Sequence, residues 1–246
     1  MFHIFGRNPV IEAIRQKKEI QKIYIQHNSK GDKVGTIYRL AKQNQIPVSQ
    51  VDLKKIKVMV GNVVHQGVVA LISPIKITPL ENLLFNFNND KMPGCFIIVD
   101  RIHDPHNMGA IIRSAEVFKA KGVIYAKREN VPITETVIKA SAGAAFHIPI
   151  CQTGNLVQTI EKLKKNQIWI FGSSLNAKSN LWDLEFRKKC AIIIGNEEKG
   201  IRPLLEKKCD DLFTIPHPGK TESLNASVAA GIILAEIFRQ NHITPN

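Results

Sequence analysis

An α/β fold built on a mostly parallel sheet is the architecture this 246-residue sequence predicts. Its first support is a set of short, unbroken apolar runs: CFIIVD (95–100), GVIYA (122–126), IWIFG (168–172) and AIIIG (191–195). Stretches at helical spacing, 108–119 and 156–165, fall between them. Strands covered on both faces read as continuous apolar runs, and intervening helices supply the crossovers that parallel pairing needs. The second support is a break in rhythm at 73–93, SPIKITPLENLLFNFNNDKMP, with three prolines and four asparagines. Such punctuation marks a linker, with room for a short helix at 80–87. The sequence thus divides into a small α/β block (1–72), the linker (73–93) and a larger α/β domain (94–246).

Within the small block, IQKIYIQ (20–26) and GVVALI (67–72) read as strands, and 9–16 and 34–44 as helices. In the large block the last helix, 226–238, is apolar on nearly every face, with Ala and Gly interspersed. All-round apolarity implies burial on most sides, and the small residues permit close backbone approach, as at a subunit interface.

Composition is that of an ordinary globular protein, 44% hydrophobic and 22% charged. The net charge of +13 points to a polyanionic partner. That charge is uneven: residues 1–72 carry 12 Lys and Arg against 4 Asp and Glu, whereas 93–246 carry 20 against 15. A phosphate-binding role for the first block fits this bias. Cysteines at 95, 151, 190 and 209 lack CxxC spacing, which argues against a zinc site or a disulfide scaffold and for free thiols in a reducing compartment. His103 and His106 form HxxH without an evident third ligand, so no metal is expected. His147 and His217 are expected to be structural or solvent-facing. No apolar window is long enough to span a bilayer and the N-terminus lacks a signal-peptide pattern, so a cytoplasmic location and no membrane partner are expected.

Neither GxGxxG after a strand nor GxxxxGK[ST] occurs, which removes support for a classical dinucleotide fold or a P-loop. Instead, three segments place polar residues and glycines directly after buried strands, where open α/β sheets bind ligands. The first, IIVDRIHDPHNMGAIIRSAEVF (97–118), leads from a strand into a helix that Asn107 is placed to cap, with Arg113 six residues on. The second, AIIIGNEEKGIRP (191–203), is a glycine-bounded acidic turn. The third, FTIPHPGKTESLNASVAAGIILAEIFRQ (213–240), passes through Glu222, Ser223 and Asn225 into the apolar helix. Ser223 and Asn225 are suited to capping that helix.

In order and spacing these segments resemble the three motifs of the SpoU–TrmH family, a branch of the SPOUT class of RNA methyltransferases. FGRNPVIEAI and VHQGVVA in the first block resemble that family's substrate-binding domain. The arrangement most resembles the branch that methylates a guanosine ribose in large-subunit ribosomal RNA. A transfer-RNA methyltransferase and a non-catalytic RNA-binding relative are the alternatives.

The resemblance implies a trefoil-knotted, parallel-sheet catalytic domain preceded by a small RNA-binding domain. It implies S-adenosylmethionine as methyl donor, held against Gly195, Ile215 and Leu224, with RNA as acceptor and a homodimeric assembly. By position it carries the catalytic roles to Asn107, Arg113, Glu197, Ser223 and Asn225. Arg113 would grip an RNA phosphate rather than act as a free base, since a guanidinium stays protonated. Glu197 would orient Arg113 or Asn107 through charge-assisted hydrogen bonds.

Overall fold

The computed structural model describes residues 2–73, 75–175, 177–219 and 223–243. Two compact units emerge: Met1–Lys76 with Ile133–His147, and Ile77–Pro132 with Ile148–Asn246.

The first unit contains β1 (Phe2–Phe5), α1 (Arg7–Arg15), β2 (Ile20–Gln26), α2 (Asp32–Gln43), β3 (Val48–Val51), α3 (Leu53–Val60) and β4 (Val68–Ile72). Its sheet runs β1-β4-β2-β3. β4 pairs antiparallel with both β1 and β2, while β2 and β3 are parallel. The strands and helices expected from the apolar pattern are present: β2 has the expected bounds, and the ends of the others are shifted by at most two residues. β1, β3 and α3 are additional, and their short lengths explain why periodicity missed them.

The second unit begins with α4 (Leu80–Asn89), β5 (Gly94–Val99), α5 (Pro105–Val117) and β6 (Gly122–Ala126). After α6 (Glu135–Ala140), which belongs to the first unit, come β7 (Ile150–Thr153), α7 (Leu156–Lys165), β8 (Trp169–Ser173), β9 (Ser179–Asn180) and β10 (Lys189–Ile194). α8 (Pro203–Glu206), β11 (Asp211–Thr214) and α9 (Ala226–His242) complete it. Its seven strands run β7-β6-β5-β10-β8-β11-β9, and every pair is parallel. The central strands are apolar throughout because both faces are covered: β5 and β6 are buried at every residue.

The units divide the chain differently from the composition. The stretch read as a linker carries α4, whose Leu80, Leu83, Leu84 and Phe87 are buried in the second unit's core. Phe87 meets Phe96 of β5 edge-on, with centroids 4.6 Å apart. Conversely, 133–147 packs within the first unit, where α6 lies against β1 and the His147 ring contacts Glu12 at 2.9 Å. Proline and asparagine content signalled a boundary, but four correctly spaced apolar residues outweigh it once a sheet face is there to receive them.

Burial pushes the Cys95 thiol up to about 12 and Cys151 to about 11, which keeps both as inert packing groups. Among the described residues no helix is long and apolar enough to cross a membrane.

Candidate active site

A single cleft in the second unit gathers the loops that follow β8, β10 and β11 with the start of α9. Each of those loops leaves the carboxyl end of a parallel strand, the side on which open α/β sheets bind ligands.

The loop after β10 is a tight hairpin. Asn196 and Gly200 exchange backbone hydrogen bonds, with N–H to O distances of 3.2 and 2.9 Å. The Asn196 side-chain oxygen accepts from the backbone N–H of Glu198 and Lys199, at 3.0 and 3.1 Å, closing the turn locally. Gly200 closes the turn at φ +59°, which glycine adopts freely. A Cβ on Gly195 would lie 2.3 Å from the Gly200 carbonyl carbon, so position 195 admits no side chain. The result is bare backbone on the cleft wall.

Below this hairpin lies a buried charge cluster that sequence reasoning missed. Asp100, fully buried at the end of β5, accepts the backbone N–H of Arg202 at 3.0 Å. Its other oxygen sits 2.8 Å from the Arg202 guanidinium, a charge contact without hydrogen-bond alignment. Arg202 also pairs with Glu129. Arg101, in the left-handed region at φ +60°, donates Nη2 to the Gly200 carbonyl at 3.1 Å, and its own carbonyl accepts from Asn196. Both ends of the hairpin are thereby tied to residues 100–101. The only sequence signal was an acid at the end of an otherwise apolar strand.

Glu197 projects from the hairpin. One carboxylate oxygen accepts the Asn107 side-chain N–H at 2.5 Å. The Asn107 carbonyl oxygen accepts from the Asn225 side chain at 3.0 Å. Asn225 is the N-cap of α9, and its side-chain oxygen accepts from Ser227 N and Val228 N at 2.9 and 3.4 Å. Each amide uses its oxygen for one partner and its nitrogen for the next, so one orientation satisfies the whole chain. All three sequence motifs meet in this relay. Asn107 does not cap α5, as its position had suggested. Asp104 does, accepting from His106 N at 2.9 Å, with Pro105 in the first turn. Freed from capping, Asn107 turns to Glu197.

The predicted residues therefore separate into groups. Gly195, Ile215, Leu224, Glu197 and Ser223 line the cleft. Asn107 and Asn225 stand beside it through the relay. Ser223 is not the cap; Asn225 fills that role. Arg113 is not brought to the cleft: it is exposed on α5, and six residues place it about 120° around the helix from Asn107. Among the described residues it has no hydrogen bond or ion pair, and Glu197 orients Asn107 rather than Arg113. Glu222 lies outside the described residues. His217 is exposed, as a solvent-facing residue is expected to be, and also lines the cleft, as do Ser173 and Ser174 after β8. Small hydroxyl residues directly after the IWIFG run were the available sign of the latter pair.

α9 packs against α5, bringing Gly231 beside Ser114 and Phe238 to 6.0 Å from Phe118. Its far end is fastened by Gln240, which accepts from Phe186 N at 2.8 Å and donates to Leu184 O at 2.9 Å. The helix that carries Asn225 is thus anchored along its length.

Residues 94–235 match the model of the SpoU rRNA Methylase family, and residues 3–78 match that of RNA 2'-O ribose methyltransferase substrate binding. The chain is 35% identical over 240 residues to the putative TrmH family tRNA/rRNA methyltransferase YacO of Bacillus subtilis, covering 98% of this chain and 96% of that one. It is 39% identical over 239 residues to a putative TrmH family tRNA/rRNA methyltransferase of Staphylococcus aureus, covering 97% and 96%. In fold it is similar to the SpoU methyltransferase AviRb of Streptomyces viridochromogenes in complex with the cofactor AdoMet, with a TM-score of 0.81 at 22% identity over 99% of this chain and 91% of that one. An AdoMet-bound rRNA methyltransferase from Sinorhizobium meliloti gives 0.78 at 23% identity, over 99% and 88%. With a family match over more than half its length and relatives of this identity along nearly all of it, the chain belongs to the SpoU rRNA methylase family.

Proposed function

We propose that this protein transfers a methyl group from S-adenosylmethionine to a ribose 2′-hydroxyl of RNA, on a guanosine of large-subunit ribosomal RNA. The observation that carries the reading is the Glu197–Asn107–Asn225 relay beside a cleft walled by bare backbone at Gly195.

The cleft's chemistry fits the donor. Gly195 leaves backbone exposed where a Cβ has no room, Ile215 and Leu224 offer apolar surface to a flat base, and Ser173 and Ser223 offer hydroxyls. The Glu197 carboxylate supplies negative charge suited to a cationic ligand. When bound, S-adenosylmethionine supplies a methyl group on a positively charged sulfur. Gly195, Ile215 and Leu224 would hold it.

The chain's own residues then position the acceptor. Glu197, locked by Asn107, keeps its carboxylate in one place. Alignment of this kind is a large part of what an in-line displacement requires. Arg113, exposed on α5 outside the cleft, grips an RNA phosphate, since a planar guanidinium fork suits a phosphate and is a poor free base. Its lack of partners among the described residues leaves the guanidinium available for that contact. A phosphate oxygen or water takes the hydroxyl proton.

The first unit delivers the RNA, in keeping with its substrate-binding match over residues 3–78 and its excess of Lys and Arg. Two copies assemble through the α5–α9 face, where Val117 is 59% and Val228 50% exposed and Ile232, Ala235 and Phe238 are only partly covered. Such a self-complementary patch suits a two-fold dimer, and sedimentation near twice 27.6 kDa tests it. We propose the cytoplasm as its location, where ribosomal RNA is the acceptor. A second reading, transfer RNA as acceptor, draws on the tRNA/rRNA name of the Bacillus relative. Mapping 2′-O-methylation across all RNAs, with and without the gene, separates the two.

A further inference from the structure

Two stretches of the first unit, FGRNPVIEAI and VHQGVVA, were singled out in the sequence, and neither is used by the cleft described above. The fold brings them together. Arg7 donates its backbone N–H to the Gln66 side-chain oxygen at 3.0 Å and its Nε to the Gln66 carbonyl at 3.2 Å, across 59 residues. The turn at 65–67 is set by His65, whose Nδ1 accepts Gly67 N at 3.0 Å, and by Gly67 at φ +74°. A Cβ at Gly67 would stand 2.3 Å from the Ser29 hydroxyl, so this wall stays bare. Lys33 donates to the Asn8 side chain at 2.8 Å. Arg7, Gln26, Ser29, Lys33, Gln66 and Gly67 thereby line one open, polar cleft.

We infer that this cleft seats a phosphodiester and its ribose from the substrate RNA, with Arg7 and Lys33 as the phosphate contacts. The inference rests on RNA being the substrate. Two cations converge here, and Nε bonding to Gln66 holds the Arg7 fork in place, so less entropy is lost on gripping a phosphate. Gln26, Gln66 and Ser29 offer donors and acceptors of the kind that meets a ribose hydroxyl. Among the described residues no apolar side chain lines the cleft, which disfavours a peptide anchor or a lipid tail. Asp32 stands exposed beside Lys33 and is the one acid on the first turn of α2; the two cations outnumber it.

The test uses the full chain, with total RNA from cells lacking this gene as methyl acceptor. The variants are Arg7→Gln and Lys33→Ala, singly and combined, with Lys33→Arg as the charge-preserving control. The combined variant is expected to raise KM for RNA about fivefold or more, leaving kcat and donor affinity unchanged. The log–log salt dependence of kcat/KM should flatten by about 0.7 per lost contact, a readout that simple loosening of the fold does not move. Lys33→Arg should behave as wild type. Wild-type KM and salt slope in the combined variant, while the wild-type enzyme methylates normally, would overturn the inference and leave the methyltransferase reading intact. Absence of methyl transfer by the wild-type chain would overturn both. Variants that lose affinity for inorganic phosphate alone but keep their RNA KM would assign the cleft to free phosphate, against the inference.

Discussion

Asn107 and Glu197, ninety residues apart in sequence, are joined side chain to side chain at 2.5 Å, and Asn107 is held from its other end by Asn225. Asn107→Asp would set two carboxylates against each other and break the relay. Turnover should fall about 10²-fold, the scale on which small misplacement acts. Circular dichroism should remain that of the wild type. Single-turnover methyl transfer measures the rate, and undiminished activity would remove the relay from the mechanism.

Gly195→Ala places a methyl group 2.3 to 2.4 Å from the backbone of Gly200 and Ile201. The hairpin must shift, at a cost of about 1–3 kcal/mol. S-adenosylmethionine affinity, read by calorimetry, should drop at least about tenfold, equivalent to 1.4 kcal/mol. Gly219, where no described residue lies within 4 Å of an added Cβ, is the matched control and should tolerate alanine.

Arg101→Gly separates the backbone turn from the contacts the side chain makes. Glycine adopts φ +60° without strain, yet the tie to the Gly200 carbonyl and the charge near Asp100 are lost. The variant should stay folded and bind donor about tenfold more weakly, in line with loss of one charged hydrogen bond. Asp100→Ala is the harsher change. It leaves two guanidinium groups facing a buried void and should destabilise the protein by about 3–5 kcal/mol in denaturant titrations.

Arg113 lies outside the donor cleft, so its variants should spare donor affinity. Arg113→Ala and Arg113→Lys should both lose most turnover, because an ammonium does not reproduce a planar, two-pronged grip on phosphate. A lysine variant at near wild-type rate would exclude that grip.

Glu236 is buried on α9 and accepts from Arg239 at 2.7 Å through both oxygens, with Gln240 at 2.8 Å. The Arg239 hydrogen bonds hold its carboxyl below the ordinary glutamate value, against the opposing push of burial. A lowered folded-state pKa means the stabilisation is complete above the usual glutamate value and is lost as pH falls through the depressed one. Thermal melts of Glu236→Gln should therefore lie below wild type at neutral pH, and the gap should close in acid. A gap independent of pH would show that the pair carries no proton-linked stability.

The parallel sheet was readable because its strands are buried on both faces and so appear as unbroken apolar runs. Two of the three loops were readable because each follows one of those runs. The third follows β11, of which only Phe213 is buried, and was readable from the proline-glycine turn and the apolar helix that come after it. Other features had no local trace. The Asn107–Glu197–Asn225 relay depends on three loops meeting in space, and nothing about Asn107 distinguishes a cap from a site residue until Asp104 is seen to take the cap. The Asp100 cluster needed Arg202 to return from beyond the hairpin. Residues 133–147 join the first unit although they lie inside the second in sequence, which composition does not reveal. For the same reason, deleting 1–72 would strip α6 of the strand it packs against, and point variants are the sounder test of the RNA-delivery role.

Methyl transfer to a ribose oxygen is the step on which every role given to these residues depends. The most direct measurement incubates purified protein with isotopically labelled S-adenosylmethionine and total RNA from cells lacking the gene, then resolves the nucleosides by mass spectrometry. Label is expected in 2′-O-methylguanosine, recovered from the large-subunit ribosomal RNA fraction and reduced about 10²-fold with Asn107→Asp. Label on a base, or no label in any RNA fraction while the donor binds, would contradict it.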